Sequence, residues 1–117
     1  MSKKFETLQA WQSAKEMVLL VYDATDKYPR KEQFGITSQT NRAAVSVPSN
    51  IAEGSSRSSK KDYCHFLEIS IGSAFELENL LVIAFERKYL VLEDKAIIEN
   101  KLEETLRLTY GLKRSMQ

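Results

Sequence analysis

The chain has 117 residues and a formal net charge of +1, which fits one domain and is too short for a second hydrophobic core. Four glycines and two prolines are too few for the many turns of a β-sandwich. A single cysteine cannot form an internal disulfide, and a single histidine excludes most metal centres and catalytic triads. We expect a cytoplasmic protein, because no signal peptide and no membrane-spanning segment can be identified.

The apolar residues of the first half recur with a helical period and predict two helices. The first runs from about Leu8 to Lys27, with Thr7 as its predicted N-cap. The second runs from about Gly35 to Glu53. Pro48 is expected to kink or break it near Ala44, because proline lacks the N–H of a helical hydrogen bond. Gly54 is the predicted C-terminal stop, since glycine tolerates the left-handed conformation.

The second half predicts two more helices after a loop rich in serine, arginine and lysine. Ser59 followed by Asp62 resembles a capping box at the start of the third helix, about Lys60 to Lys88. This helix is apolar nearly all round, which is typical of a helix buried on more than one face. We therefore predict an oligomer to whose interface this helix contributes. The fourth helix, about Glu93 to Lys113, has one apolar stripe.

The four predicted helices are long, amphipathic and joined by short connections. Such connections favour antiparallel neighbours. The predicted fold is therefore all-α, an antiparallel up-down four-helix bundle.

A polar row on the second helix is matched by polar residues on the third. The residues concerned are Arg42, Ser46, Asn50 and Glu53 on the second helix and Ser73 and Glu76 on the third. The favoured interpretation is a buried structural network in which Arg42 pairs with a carboxylate and Asn50 bonds to backbone, because buried charges normally pair. The alternative is a ligand or proton-handling site built from Arg42, Glu53 and Glu76.

The loop before the third helix is the candidate nucleic-acid-binding segment. Its cations Arg57, Lys60 and Lys61 stand before a helix N-terminus, where free backbone N–H groups attract phosphates. A solvated loop without a ligand is the alternative. No cofactor and no metal are predicted, because Cys64 and His65 are adjacent on a helix and point in different directions.

Two sequence blocks resemble the signatures of a known family. The blocks, Gln39–Gly54 and Phe66–Glu78, are similar to those of the bacterial four-helix-bundle proteins, also described as 23S rRNA intervening-sequence proteins or as a ribosomal-protein type. The resemblance implies a left-handed bundle that assembles as a ring, a homopentamer, with no established enzymatic activity and with a nucleic-acid-binding relative. It also implies structural or binding roles for the residues of the polar row.

The resulting hypothesis is a non-enzymatic, homo-oligomeric accessory protein that binds RNA or DNA and no membrane. A structural or protein-interaction scaffold without a nucleic-acid role is the alternative. An enzyme using Arg42, Glu53 and Glu76 is a third and weaker one.

Overall fold

The computed structural model describes residues 4–117, which form four α-helices and two short 3₁₀ turns. The helices are α1 (Gln9–Thr25), α2 (Ile36–Ser55), α3 (Lys60–Glu86) and α4 (Leu92–Ser115). The turns are Lys4–Thr7 before α1 and Arg30–Glu32 before α2. The prediction of an all-α four-helix bundle is confirmed.

Neighbouring helices run antiparallel, because rising residue numbers on one helix meet falling numbers on the next. The contacts that show this are Ser46–Ser73 and Val47–Ser70 between α2 and α3, Ser13–Thr105 and Glu16–Lys101 between α1 and α4, and Cys64–Lys113 and Phe85–Lys95 between α3 and α4. The start of α1, the α2–α3 connection and the end of α4 therefore lie at one end of a molecule 43 Å long.

The core is the shared interior of all four helices. Its largest fully buried apolar side chains are Met17, Val21, Val47, Ile51, Leu67, Leu77, Leu81, Ile98 and Leu102. Burying one such side chain contributes about 1.5–3 kcal/mol. This core holds the helices in register and so fixes which polar side chains meet on the surface.

Of the two predicted N-cap residues, one is confirmed by the structure and the other is not. The Ser59 side chain accepts a hydrogen bond from the Asp62 N–H at 3.1 Å, which confirms the predicted cap of α3. Thr7 as the cap of α1 is wrong. The chain forms a 3₁₀ turn there, the Thr7 hydroxyl donates to the Lys4 carbonyl at 2.9 Å, and Leu8 takes the cap position without a side-chain bond.

Helix α2 continues through its proline. It runs unbroken from Ile36 to Ser55 with Pro48 inside it and buried, so the break expected near Ala44 does not occur. The reason is tertiary packing. Ala44 is fully buried, and the Ser70 hydroxyl of α3 donates to the Val47 carbonyl at 2.8 Å, which ties α2 to its neighbour beside the proline.

Gly54 serves close packing and is not a left-handed stop. It lies buried in the last turn of α2, and no glycine among residues 4–117 has a positive φ. A Cβ at Gly54 would lie 3.0 Å from the Cβ of Phe66 and 3.1 Å from the ring of Tyr63. The absence of a side chain therefore lets α2 and α3 approach each other at this point.

The left-handed helix stop in the described residues is Lys88, with φ 67°. The Tyr89 N–H donates to the Ala84 carbonyl and the Lys88 N–H donates to the Phe85 carbonyl, both at 2.9 Å. This pair of bonds is the Schellman motif that ends α3.

Replacing Gly54 by alanine is expected to destabilise the protein by about 1–3 kcal/mol, because the added methyl group overpacks the α2–α3 contact. Gly111→Ala in α4 is the matched control. A Cβ there meets only the Arg114 side chain, at 3.8 Å, and alanine favours a helix by about 1 kcal/mol. Urea unfolding measures both variants, and a Gly54→Ala variant as stable as the native protein would contradict the packing role.

Replacing Lys88 by glycine is expected to stabilise the protein by about 1 kcal/mol, because it removes the steric cost of a side chain in the left-handed conformation. Arg87→Gly is the control, since Arg87 has an ordinary helical φ of −77° and glycine there should destabilise. Thermal unfolding separates the two variants. The assignment fails if both variants lower the melting temperature alike.

Candidate functional site

The three predicted nucleic-acid contacts lie together at the α2–α3 connection and are exposed. The Arg57 guanidinium already has partners: it lies 3.4 Å from the Glu53 carboxylate and 4.7 Å above the ring of Phe66. Within residues 4–117, no carboxylate lies within 4.0 Å of the ammonium groups of Lys60 or Lys61. The two lysines are therefore free to meet an external anion, whereas Arg57 must exchange a partner.

Lys60 and Lys61 occupy positions where a positive charge destabilises the helix. They are the first two residues of α3, and the N-terminus of a helix carries a partial positive charge that disfavours cations. Helix stability alone would favour acids in this turn, and only Asp62 supplies one. Bound phosphates would offset this cost, because their negative charge is attracted both by the lysines and by the helix end.

Half of the predicted polar network forms a hydrogen-bonded link between α2 and α3. The Ser46 and Ser73 hydroxyl oxygens are 2.8 Å apart. The Asn50 side-chain amide donates to the Ser46 carbonyl at 2.8 Å and to its hydroxyl oxygen at 3.0 Å. The Ser46–Ser73 bond joins the middle of the two helices, and Asn50 holds the Ser46 side chain from within α2.

The alternative site built from Arg42, Glu53 and Glu76 does not assemble into one cluster. Arg42 and Glu76 line a groove of about 420 Å³ between α2 and α3, together with Ser46 and Ser73. Glu53 lies eleven residues after Arg42, about 16 Å along the helix, and binds Arg57. The expected buried ion pair of Arg42 is wrong, because its side chain is exposed and no carboxylate within residues 4–117 approaches it to 4.0 Å.

The shifted pKa values do not create an acid or base poised near neutral pH. Burial, followed by the charge of Asp94, raises the pKa of Tyr28 to about 12. The hydrogen bond between Lys101 and Glu104 raises the pKa of the lysine and lowers that of the glutamate. Each of these shifts moves the pKa away from neutrality.

The part of the chain that the structure describes holds no cluster of three metal-ligating side chains. Cys64 is half-buried, with its sulfur 3.9 Å from the Lys113 carbonyl oxygen, and His65 is exposed. Between Lys4 and Gln117, no helix is long and apolar enough to cross a membrane.

The outward side of α3 leaves four large apolar side chains exposed, interspersed with the exposed polar residues Glu76, Asn79 and Glu86. We define the α3 apolar face as Ile69, Gly72, Phe75, Val82 and Ile83. Its four large side chains are 39–53% exposed. A Cβ at Gly72 would have no neighbour within 4 Å, so nothing inside the described chain accounts for a glycine in the middle of this helix.

Sequence reasoning missed two surface features of this molecule. Phe34, between the second 3₁₀ turn and α2, is 91% exposed, and no periodic pattern could show it because it lies outside a helix. Lys113 and Arg114 lie at the same end as the basic connection, although they are about fifty residues away in sequence. Only the antiparallel topology, applied to the positions of the charges, could have found them.

Comparisons with known proteins agree with this architecture. The sequence model of the family described as 23S rRNA-intervening sequence protein matches residues 6–111. A crystal structure from Bacteroides thetaiotaomicron VPI-5482, of a protein with unknown function from the S23 ribosomal protein family, superposes with a TM-score of 0.81 at 21% identity. The alignment covers 89% of this chain and 97% of that one, and at this identity it shows the fold. Among curated proteins, none matches this chain. Because the family match extends over nearly the whole sequence, the chain belongs to the 23S rRNA-intervening sequence protein family.

Proposed function

We propose that this protein is a non-enzymatic, homo-oligomeric accessory protein that binds RNA through the basic α2–α3 connection. The observation that carries the proposal is the pair of unpaired, exposed lysines at the start of α3, in a chain whose family is described by its link to 23S rRNA. Neither the family nor the structural neighbour is described by a reaction.

The charges of the connection suit the phosphate backbone better than individual bases. Lysine ammonium groups are flexible point charges that contact phosphates without reading sequence. Two lysines in one chain bind weakly, since the whole chain carries only +1. An oligomer repeats the patch, and several patches that engage one RNA raise the affinity through effective concentration.

The α3 apolar face supports the oligomeric part of the proposal. Isolated apolar residues are normal on protein surfaces, but several large apolar side chains exposed along one side of a helix favour a contact with another molecule. Gly72 in the middle of this face costs α3 about 1 kcal/mol relative to alanine. A second copy packed closely over Gly72 would offset that cost. The resemblance of the two signature blocks implies a ring of five copies.

The scaffold alternative has one observation in its favour. A net charge of +1 gives no general attraction to nucleic acid, whereas the α3 apolar face would serve a protein partner equally well. An oligomer that ignores RNA and DNA at low salt and binds a specific protein would support this alternative.

Replacing Arg57, Lys60 and Lys61 together by alanine is expected to weaken RNA binding at least tenfold, because the variant makes fewer phosphate contacts and releases fewer condensed counterions. Affinity of the native oligomer for a labelled structured RNA should fall steeply with salt, and less steeply for the variant. Affinity that is unchanged between low and moderate salt contradicts the proposal. Tighter binding to a matched DNA contradicts RNA as the ligand.

Replacing Gly72 by leucine is expected to reduce the oligomer to smaller species without unfolding the chain. The leucine enters open space in the single chain but would displace a copy packed over α3. Glu103→Leu, at an exposed position of α4, is the matched control. Light scattering measures the mass of each variant. A Gly72→Leu protein with the native oligomeric mass would contradict the proposal that copies contact each other through the α3 apolar face.

A further inference from the structure

The charges of the described chain are distributed unevenly along its long axis. We define the basic end as residues 4–8, 53–68 and 109–117, which hold six lysines and arginines against four carboxylates. The opposite end, residues 23–36 and 84–95, holds six of each, and the middle holds four cations against six carboxylates. The cations of the basic end are Lys4, Arg57, Lys60, Lys61, Lys113 and Arg114, and its carboxylates are Glu6, Glu53, Asp62 and Glu68.

When the ion pairs are set aside, the ratio of cations to carboxylates at the basic end becomes larger. At the basic end, Arg57 binds Glu53 at 3.4 Å and Lys113 binds Glu68 at 3.2 Å. Half of the carboxylates are thereby neutralised by two of the six cations. Cations outside these pairs outnumber the remaining carboxylates by two to one; the four cations are Lys4, Lys60, Lys61 and Arg114.

The last turn of α4 lies beside the first turns of α3. The Lys113–Glu68 ion pair fixes this neighbourhood, as does the Cys64 sulfur at 3.9 Å from the Lys113 carbonyl oxygen. Arg114 follows directly and is exposed. Lys4 lies in the 3₁₀ turn that packs against α1 and α2, and it is exposed as well.

The ends of the helices do not account for this arrangement. Cations in the last turn of α4 complement its partial negative charge, so helix stability alone would explain Arg114. The same reasoning disfavours Lys60 and Lys61 at the start of α3. Some of these cations stabilise the helix terminus that they occupy and others destabilise it. What they have in common is that they all lie at the same end of the molecule.

We infer that the RNA-binding face is the whole basic end, with Arg114 and Lys4 contacting phosphates beside the lysines of α3. The inference rests on the proposed function and extends the site from one connection to three separate segments of the chain. The molecule is about 22 Å wide, so the face accommodates several successive phosphates. Closed cyclic symmetry would repeat it at one level around a ring.

The test compares two double variants that remove equal charge from opposite ends. Lys4→Ala with Arg114→Ala removes the new contacts, and Arg30→Ala with Lys31→Ala is the matched control. All four side chains are exposed. Binding of a labelled RNA hairpin with single-stranded flanks is titrated from low to moderate salt. The first variant should bind about tenfold more weakly, and the slope of log K against log salt should fall by about 0.7–0.9 for each phosphate that is no longer neutralised. The control should bind within about twofold of the native protein, since its charges lie outside the face.

Two results would overturn this inference and leave the proposed function intact. Equal weakening by both double variants would show that overall charge, rather than one face, attracts the RNA. Native affinity in the Lys4 and Arg114 variant, with weakened binding in a Lys60→Ala and Lys61→Ala variant, would confine the site to the α2–α3 connection. Failure of the native oligomer to bind the hairpin even at low salt would instead overturn the proposed function, and this inference with it.

Discussion

Helices α2 and α3 approach each other so closely at Gly54 that a Cβ there would lie 3.0 Å from the Cβ of Phe66. This contact, with the Ser46–Ser73 and Ser70–Val47 hydrogen bonds further along, fixes the register of the pair. Four residues connect the helices, so the register also fixes the position of Arg57 and the two lysines. The outward direction of the α3 apolar face follows from the same contact, because the opposite side of α3 is packed against the core.

The helices were predictable because they depend on local patterns. Four segments with a helical spacing of apolar residues, together with the Ser59 cap, predict the boundaries of the four helices to within a few residues. Gly54 was misread because a glycine after a helical pattern has the same sequence signature whether it supplies a left-handed stop or a close approach. Pro48 was misread because intrinsic propensity gives no weight to the tertiary contacts that surround Val47 and Ala44.

The candidate site was predictable only in part. The helical period correctly places Ser46 and Asn50 on one side of α2, but it cannot tell whether Arg42 faces a partner helix or solvent. Charge clustering along the sequence identifies Lys60 and Lys61. The proximity of Arg114 to the α2–α3 connection depends on the antiparallel pairing of α3 with α4, which joins segments about fifty residues apart. The total charge of +1 does not show that the balance of cations and carboxylates differs between the two ends of the bundle.

Hydrogen exchange with mass spectrometry, on the native protein with and without a structured RNA, tests the proposed RNA binding at the basic end most directly. Amides that become occluded exchange more slowly. We expect slower exchange in the presence of RNA at the basic end, residues 53–68 and 109–117, with no change at residues 23–36 and 84–95. Slower exchange at the opposite end, or no change at low salt in either region, would contradict this mode of binding.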